Sequence, residues 1–385
     1  MATSVGQQQV EGRAEEPQRR PALSVVALVP RTSLGRQRDA FAAAVLEVLE
    51  KLDVPVRVVT GRTRTAAAGS AAGVVSRARS EPPTHVLCFD PALAPVAAAI
   101  HMVSGRRPRL LLFCTGTDLI DAGPLSQAVM GRLPIRLVAT DGAAGAALSA
   151  RYGPVDLLRP SVDEEAYRAL LSLEPTPEPD STNPPALLSF MPLDAAGESG
   201  VMTLLRAVEL VRARHADLNL TIAGPGQPTS ELTRALAERA TWATALTSTD
   251  LFDLRAALAR CHLFVVPGRR SGLAHRPDDF GIPLIHAQLA ATPVIAPPDG
   301  SGSDAFVEGI TGIRPVNATA ESLARCILTF LDHESVLQRT ARNARLWASF
   351  GCAPGRFATQ VRQIVLNAEP DEIRMPALAL VSPLP

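Results

Sequence analysis

The chain has 385 residues, enough for two domains with full hydrophobic cores, and 46% of them are hydrophobic. Its 38 basic and 38 acidic residues cancel to a formal net charge of zero, so no basic excess argues for nucleic acid. No apolar run reaches the roughly 20 residues of a membrane span, and the polar stretch Gly6–Pro21 lacks the pattern of a signal peptide.

The five cysteines (Cys88, Cys114, Cys261, Cys326, Cys352) are odd in number, scattered and without metal-ligand spacing, as expected in a reducing cytoplasm. Lys51 is the only lysine, whereas arginine, alanine and proline are abundant. This looks like the coding bias of a GC-rich bacterium such as an actinomycete. Lys51 falls on an expected helix among charged neighbours and reads as a solvated surface charge, so any cationic contact to a phosphate must come from arginine.

Residues 1–21 read as a flexible tail. Short apolar runs then alternate with helical stretches, the pattern of a parallel α/β architecture. Strands are expected at Leu23–Val29, Val56–Thr60, His85–Phe89, Leu110–Phe113, Ile135–Ala139 and Val155–Leu158. Helices are expected at Arg38–Leu52, Ala72–Ala78, Leu93–Val103 and Gly142–Tyr152. Residues 22–171 thus make one doubly wound, Rossmann-like domain. Ser172–Pro185 is rich in proline, serine and acid, cannot continue a helix, and is expected to be the interdomain linker. A second α/β set over 186–352 has strands at Ala186–Phe190, Leu218–Ala223 and Leu263–Pro267, with helices at Val201–Ala213, Glu231–Ala240, Leu251–Cys261, Glu321–Asp332 and Val336–Phe350. A last helix, Arg356–Asn367, falls within 353–368, and residues 369–385 form a tail.

Asp278–Gly312 reads as loop, helix, short buried strand (Pro293–Ala296), glycine turn and helix start at Asp304–Val307. Gly300-Ser301-Gly302 can leave backbone N–H groups free ahead of that helix, and such a turn is a ready anion site. The order of parts resembles the signature of family 4 retaining glycosyltransferases. The chain keeps Phe280, Gly281, Pro283, Ala287, Thr292-Pro293-Val294-Ile295-Ala296, Gly300, Gly309 and Thr311-Gly312 of that pattern. Arg159-Pro160-Ser161-Val162-Asp163 stands where the family closes its first domain, and Ile222–Gly226 matches its glycine turn after a strand. Leu263–Pro267 matches a further strand. Gly268–Leu273 looks like the basic loop of the phosphatidylinositol mannosyltransferase branch.

The resemblance implies a GT-B fold, two Rossmann-like doubly wound parallel-sheet domains facing a central cleft. The first would hold the acceptor and the second a nucleotide diphosphate sugar. The last helix would cross back onto the first domain. It also implies that cations and backbone amides stabilise the leaving diphosphate, without metal or resident cofactor.

Several family positions are changed. The two glutamates fall on Asp278 and His286, the lysine on Ser199, and a first-domain histidine on Thr115; no arginine lies in Phe190–Gly200. Asp278 is the candidate catalytic carboxylate, competing with a role as a helix cap. His286 would offer one bond to the ribose hydroxyls, competing with a partly buried helix histidine. Arg269 and Arg270 are the candidate replacement cations, since arginine grips phosphate with two N–H groups; solvated loop charges are the competing reading. Gly300 and Ser301 would supply amides, Gly224 would approach the base, and Gly35 with Arg36 would approach the diphosphate, although a surface arginine is the competing reading there. Asp304 matches an acidic family position and is expected to cap the helix that follows. His275, Asp278, Asp279 and His286 are expected to hold no metal.

Two functions fit. The leading one is a cytoplasmic glycosyltransferase transferring a sugar with retention to an unassigned acceptor. The alternative is a non-catalytic relative that keeps the scaffold to bind a partner, for instance an active glycosyltransferase.

Overall fold

The computed structural model describes residues 23–30, 36–61, 72–114, 122–180, 182–247, 251–268, 281–298 and 302–367. They form two six-stranded parallel sheets covered by helices.

The first sheet comprises β1 (Val25–Pro30), β2 (Val56–Gly61), β3 (His85–Cys88), β4 (Arg109–Cys114), β5 (Ile135–Ala139) and β6 (Asp156–Leu157), in the order β2-β1-β3-β4-β5-β6. Its inner strands β1 and β4 read as nearly unbroken apolar runs because both faces are covered, whereas the edge strand β2 carries Arg57 and the exposed Val58. Val26, Leu28, Val86, Cys88, Leu110 and Leu112 point into one core; Val25, Ala27, Val29, Leu87, Leu111 and Phe113 point into the other. Its helices are α1 (Arg36–Glu50), α2 (Ala94–Val103), α3 (Pro124–Arg132) and α4 (Gly142–Tyr152), with one more turn of helix over 72–77. Asp141 caps α4 by accepting the Ala144 N–H at 2.7 Å.

The chain leaves this sheet through α5 (Glu164–Leu171), which lies before the expected linker yet packs on the second domain. Val162, Ala166 and Leu170 are buried there with Leu188, Phe264 and Leu284. The apolar face of α5 carries it across, so the crossing begins near Pro160 rather than at Ser172–Pro185.

The second sheet comprises β7 (Ala186–Phe190), β8 (Asn219–Ala223), β9 (Ala243–Leu246), β10 (Leu263–Val265), β11 (Val294–Ile295) and β12 (Gly312–Ile313), in the order β12-β11-β10-β7-β8-β9. Its helices are α6 (Glu198–Arg212), α7 (Ser230–Ala237), α8 (Leu251–Leu258), α9 (Ile282–Leu289), α10 (Ala320–Leu331) and α11 (Glu334–Gly351). The chain then returns: α12 (Pro354–Leu366) packs on the first domain, burying Phe357, Val361, Ile364 and Val365 with Phe41, Val45 and Leu49 of α1. The Phe357 and Phe41 rings meet edge to face, with centroids 6.2 Å apart. Arg136 of β5 donates to the Ile364 carbonyl at 2.8 Å and forms an ion pair with Asp156 at 2.5 Å.

The two crossings are tied together. The Arg345 guanidinium donates to the carbonyls of Leu171 and Leu173, and the Tyr167 hydroxyl donates to the Ser349 carbonyl at 2.7 Å. None of the described helices is long and apolar enough to cross a membrane.

Candidate functional site

In the second sheet the strand order reverses direction between β7 and β10, and ligands of open α/β sheets bind outside the C-terminal ends of the strands at such a point. Two glycines line that opening. A Cβ on Gly200, in the first turn of α6, would lie 2.6 Å from the Met191 methyl and 3.6 Å from Pro267. A Cβ on Gly268, just beyond β10, would lie 2.6 Å from Pro298. The loops after β7, β10 and β11 therefore converge closely enough to exclude side chains at these points.

The turn after β8 is held from below. Gly224 lies so close to the preceding loop that a Cβ would fall 1.7 Å from the Met191 carbonyl oxygen. Met191 N–H donates to Ala223 and Leu193 N–H to Pro225, at 2.9 and 2.8 Å. The same loop needs Gly197, where a Cβ would meet the Pro192 carbonyl at 1.8 Å. Neither Gly197, Gly200 nor Gly268 was singled out as a site residue from sequence. Ser199, at the expected lysine position, lies between the closely packed Gly197 and Gly200 in the first turn of α6.

His286 lies on α9, and its Nε2 is buried with no hydrogen-bond partner among the described residues. Burial pushes its pKa down to about 4, with Asp163 at the start of α5 pulling the other way. The ring is therefore neutral at pH 7.

Asp304 departs from expectation. Residues 304–307 form turns rather than a helix start, so Asp304 caps nothing on its own segment. Its carboxylate reaches the first domain, accepting the Gly142 N–H at the start of α4 and pairing with Arg159 at 3.2 Å. A helix N-terminus carries partial positive charge, so a carboxylate is favoured there wherever it comes from. Gly302 and Gly281, both with left-handed φ of +66° and +61°, press together and fix the loop that presents Asp304.

Gly35, Thr115, Arg269, Arg270, His275, Asp278, Asp279, Gly300 and Ser301 lie outside the described residues, and Arg36 is described only as the first backbone residue of α1. Of the expected donor-site residues, the structure therefore places Gly224 and His286.

Residues 185–333 match a family model described as glycosyl transferases group 1. Over 177 residues the chain is 29% identical to the glycogen synthase of Mycobacterium tuberculosis, a match that covers 46% of this chain and 41% of that enzyme. The chain thus aligns with about two-fifths of the length of this curated relative. Among solved structures, Anabaena HepE in complex with UDP superimposes with a TM-score of 0.65 at 15% identity, covering 90% of this chain and all of that one. A glycosyltransferase from Rickettsia africae gives a TM-score of 0.65 at 14% identity, covering 91% of this chain and all of that one. Two parallel-sheet domains exchanging their last helix, superimposable on these structures over nine-tenths of the chain, make this a GT-B fold.

Proposed function

We propose that this chain is a glycosyltransferase of the family 4 type, related to the phosphatidylinositol mannosyltransferase branch. It takes a sugar from a nucleotide diphosphate sugar, transfers it with retention, works without metal or resident cofactor, and acts in the cytoplasm of an actinobacterium. The observation that carries this reading is the match of residues 185–333 to glycosyl transferases group 1. That segment coincides with the second sheet and with the opening lined by Gly200 and Gly268.

In this reading the donor lies across the C-terminal ends of β7 and β10. Gly224 lets the β8 turn approach the base, and the Gly300-Ser301 amides with Arg269, Arg270 and Arg36 beyond Gly35 meet the diphosphate. No lysine is left for that task, and arginine supplies two parallel N–H donors to phosphate oxygens. Asp278 bonds a sugar hydroxyl. His286, neutral and without a partner at Nε2 among the described residues, has one donor or acceptor to offer a ribose hydroxyl. The first domain holds the acceptor.

The test is calorimetric titration with a panel of nucleoside diphosphates, UDP first, followed by product analysis with the corresponding nucleotide sugars. The reading expects one nucleotide to bind and the anomeric configuration of its sugar to be retained in the product. Silence across the panel in a folded protein overturns it and favours a scaffold that binds another protein, such as an active glycosyltransferase.

A further inference from the structure

We propose that Asp304 is a latch that holds the two domains closed, a role that needs no assignment of the reaction. Its two partners belong to the other domain, 162 and 145 residues away in the chain. Gly142 N–H opens α4 at the C-terminal end of β5, and Arg159 lies just before the crossing at Pro160. The carboxylate thus meets a helix N-terminus and a guanidinium at once, and a charge-assisted pair of bonds is directional as well as attractive.

Three features make this more than a chance surface contact. The first is that Asp304 is rigidly presented. The next residue, Ala305, is fully buried; its N–H donates to Gly302 at 2.9 Å, and its carbonyl accepts Gln288 Nε2 from α9 at 2.6 Å. Gln288 is itself fully buried. The second is that the receiving side is shaped for it. A Cβ on Gly142 would stand 3.2 Å from both Asp304 carboxylate oxygens, closer than ordinary contact, so glycine lets the carboxylate approach without being displaced. The third is that Asp304 lies two residues beyond Gly302, whose turn packs on Gly281 and Leu284 at the start of α9, so the carboxylate is fixed to the second-domain helix.

The covalent connections permit motion. The domains are joined by two backbone crossings, near Pro160 and near Ala353, and closure about such a pair is a hinge movement. Separating the domains would break both Asp304 contacts together and return Gly142 N–H and Arg159 to water. The latch therefore biases an open–closed equilibrium without being able to fix it.

The experiment measures interdomain distance in the full chain. Spin labels go on cysteines introduced at Met102 of the first domain and Leu210 of the second, both exposed. The natural thiols compete poorly: Cys88 and Cys114 are buried, and burial pushes Cys261 and Cys352 up to about 12 and Cys326 up to about 11. Asp304→Ala is expected to raise the open-to-closed ratio about tenfold, which corresponds to about 1.4 kcal/mol. Gly142→Ala is the second probe, because alanine favours the helix while its Cβ displaces the carboxylate. It is expected to open the domains with α4 intact by circular dichroism. A distance distribution that superimposes on wild type in both variants overturns the proposal.

Discussion

One imidazole, that of His262, joins the linker to the second sheet at Ala186. Its Nδ1 accepts the Ala186 N–H at 3.1 Å, and its Nε2 donates to the Pro177 carbonyl at 2.9 Å. Both bonds exist together only in the neutral ring with its proton on Nε2. Burial pushes the His262 pKa down, the Pro177 bond opposing it, so the neutral form is kept at pH 7.

His262→Phe keeps an aromatic ring but strips the Ala186 N–H of its partner and removes one of the two bonds to the Pro177 carbonyl, which still accepts Asn183 Nδ2 at 2.9 Å. An orphaned polar group costs about 1–3 kcal/mol. The urea midpoint is expected to fall by the corresponding amount, and proteolysis within 175–180 to accelerate. An unchanged midpoint would show that neither bond contributes.

His286 makes the stability depend on acid. Its folded pKa lies near 4, against an ordinary value of 6.5. Below 6.5 the unfolded chain takes up a proton that the folded chain refuses, so this contribution is complete above 6.5 and is lost as pH falls toward 4. The loss is on the order of 3 kcal/mol across that window. Urea unfolding at pH 7, 6 and 5 is expected to show a shallower pH dependence for His286→Gln than for wild type. Parallel pH profiles would remove His286 from the account.

Arg269 and Arg270 test the reaction. A diphosphate concentrates charge, and removing one stabilising donor typically costs about 10²–10³ in rate. Arg269→Ala and Arg270→Ala, singly and together, are expected to weaken nucleotide binding and slow sugar transfer more than Asp278→Asn does. His286→Glu, which restores a two-oxygen acceptor for ribose hydroxyls, is expected to strengthen nucleotide binding. Nucleotide affinities unchanged in all five variants would move the donor site elsewhere.

Much of the fold was legible because two-faced burial writes strands as apolar runs, as in Ala186–Phe190, and helices such as Gly142–Tyr152 fall between them. β9 and α5 were less legible: β9 is a partly exposed edge strand, and α5 shows its partner only through the tertiary position of Val162, Ala166 and Leu170. The site was half legible. The glycine-rich turns could be found by pattern, but the need for Gly197 and Gly200 shows only in the approach of Pro192 and Met191, which no local spacing encodes. Asp304 was found but assigned to the wrong helix, because its true partners are more than 140 residues away and no local spacing encodes them.

Gly224 provides the sharpest structural test of the second-domain opening. An added Cβ would lie 1.7 Å from the Met191 oxygen, and that atom belongs to a backbone pinned by the Met191–Ala223 and Leu193–Pro225 hydrogen bonds. Neither strand end can give way without losing one of these bonds. Gly224→Ala is therefore expected to cost at least the roughly 1–3 kcal/mol typical of overpacking. Gly355→Ala is the control: no atom lies within 4 Å of its Cβ position in the first turn of α12, and alanine is favoured in helices by up to about 1 kcal/mol. Thermal melts of the two variants should move in opposite directions. The β8 turn also forms one wall of the proposed donor site, so only Gly224→Ala should lower nucleotide affinity when both are titrated well below their melting temperatures. Full affinity in a measurably destabilised Gly224→Ala would detach the β8 turn from nucleotide binding while leaving its structural role intact.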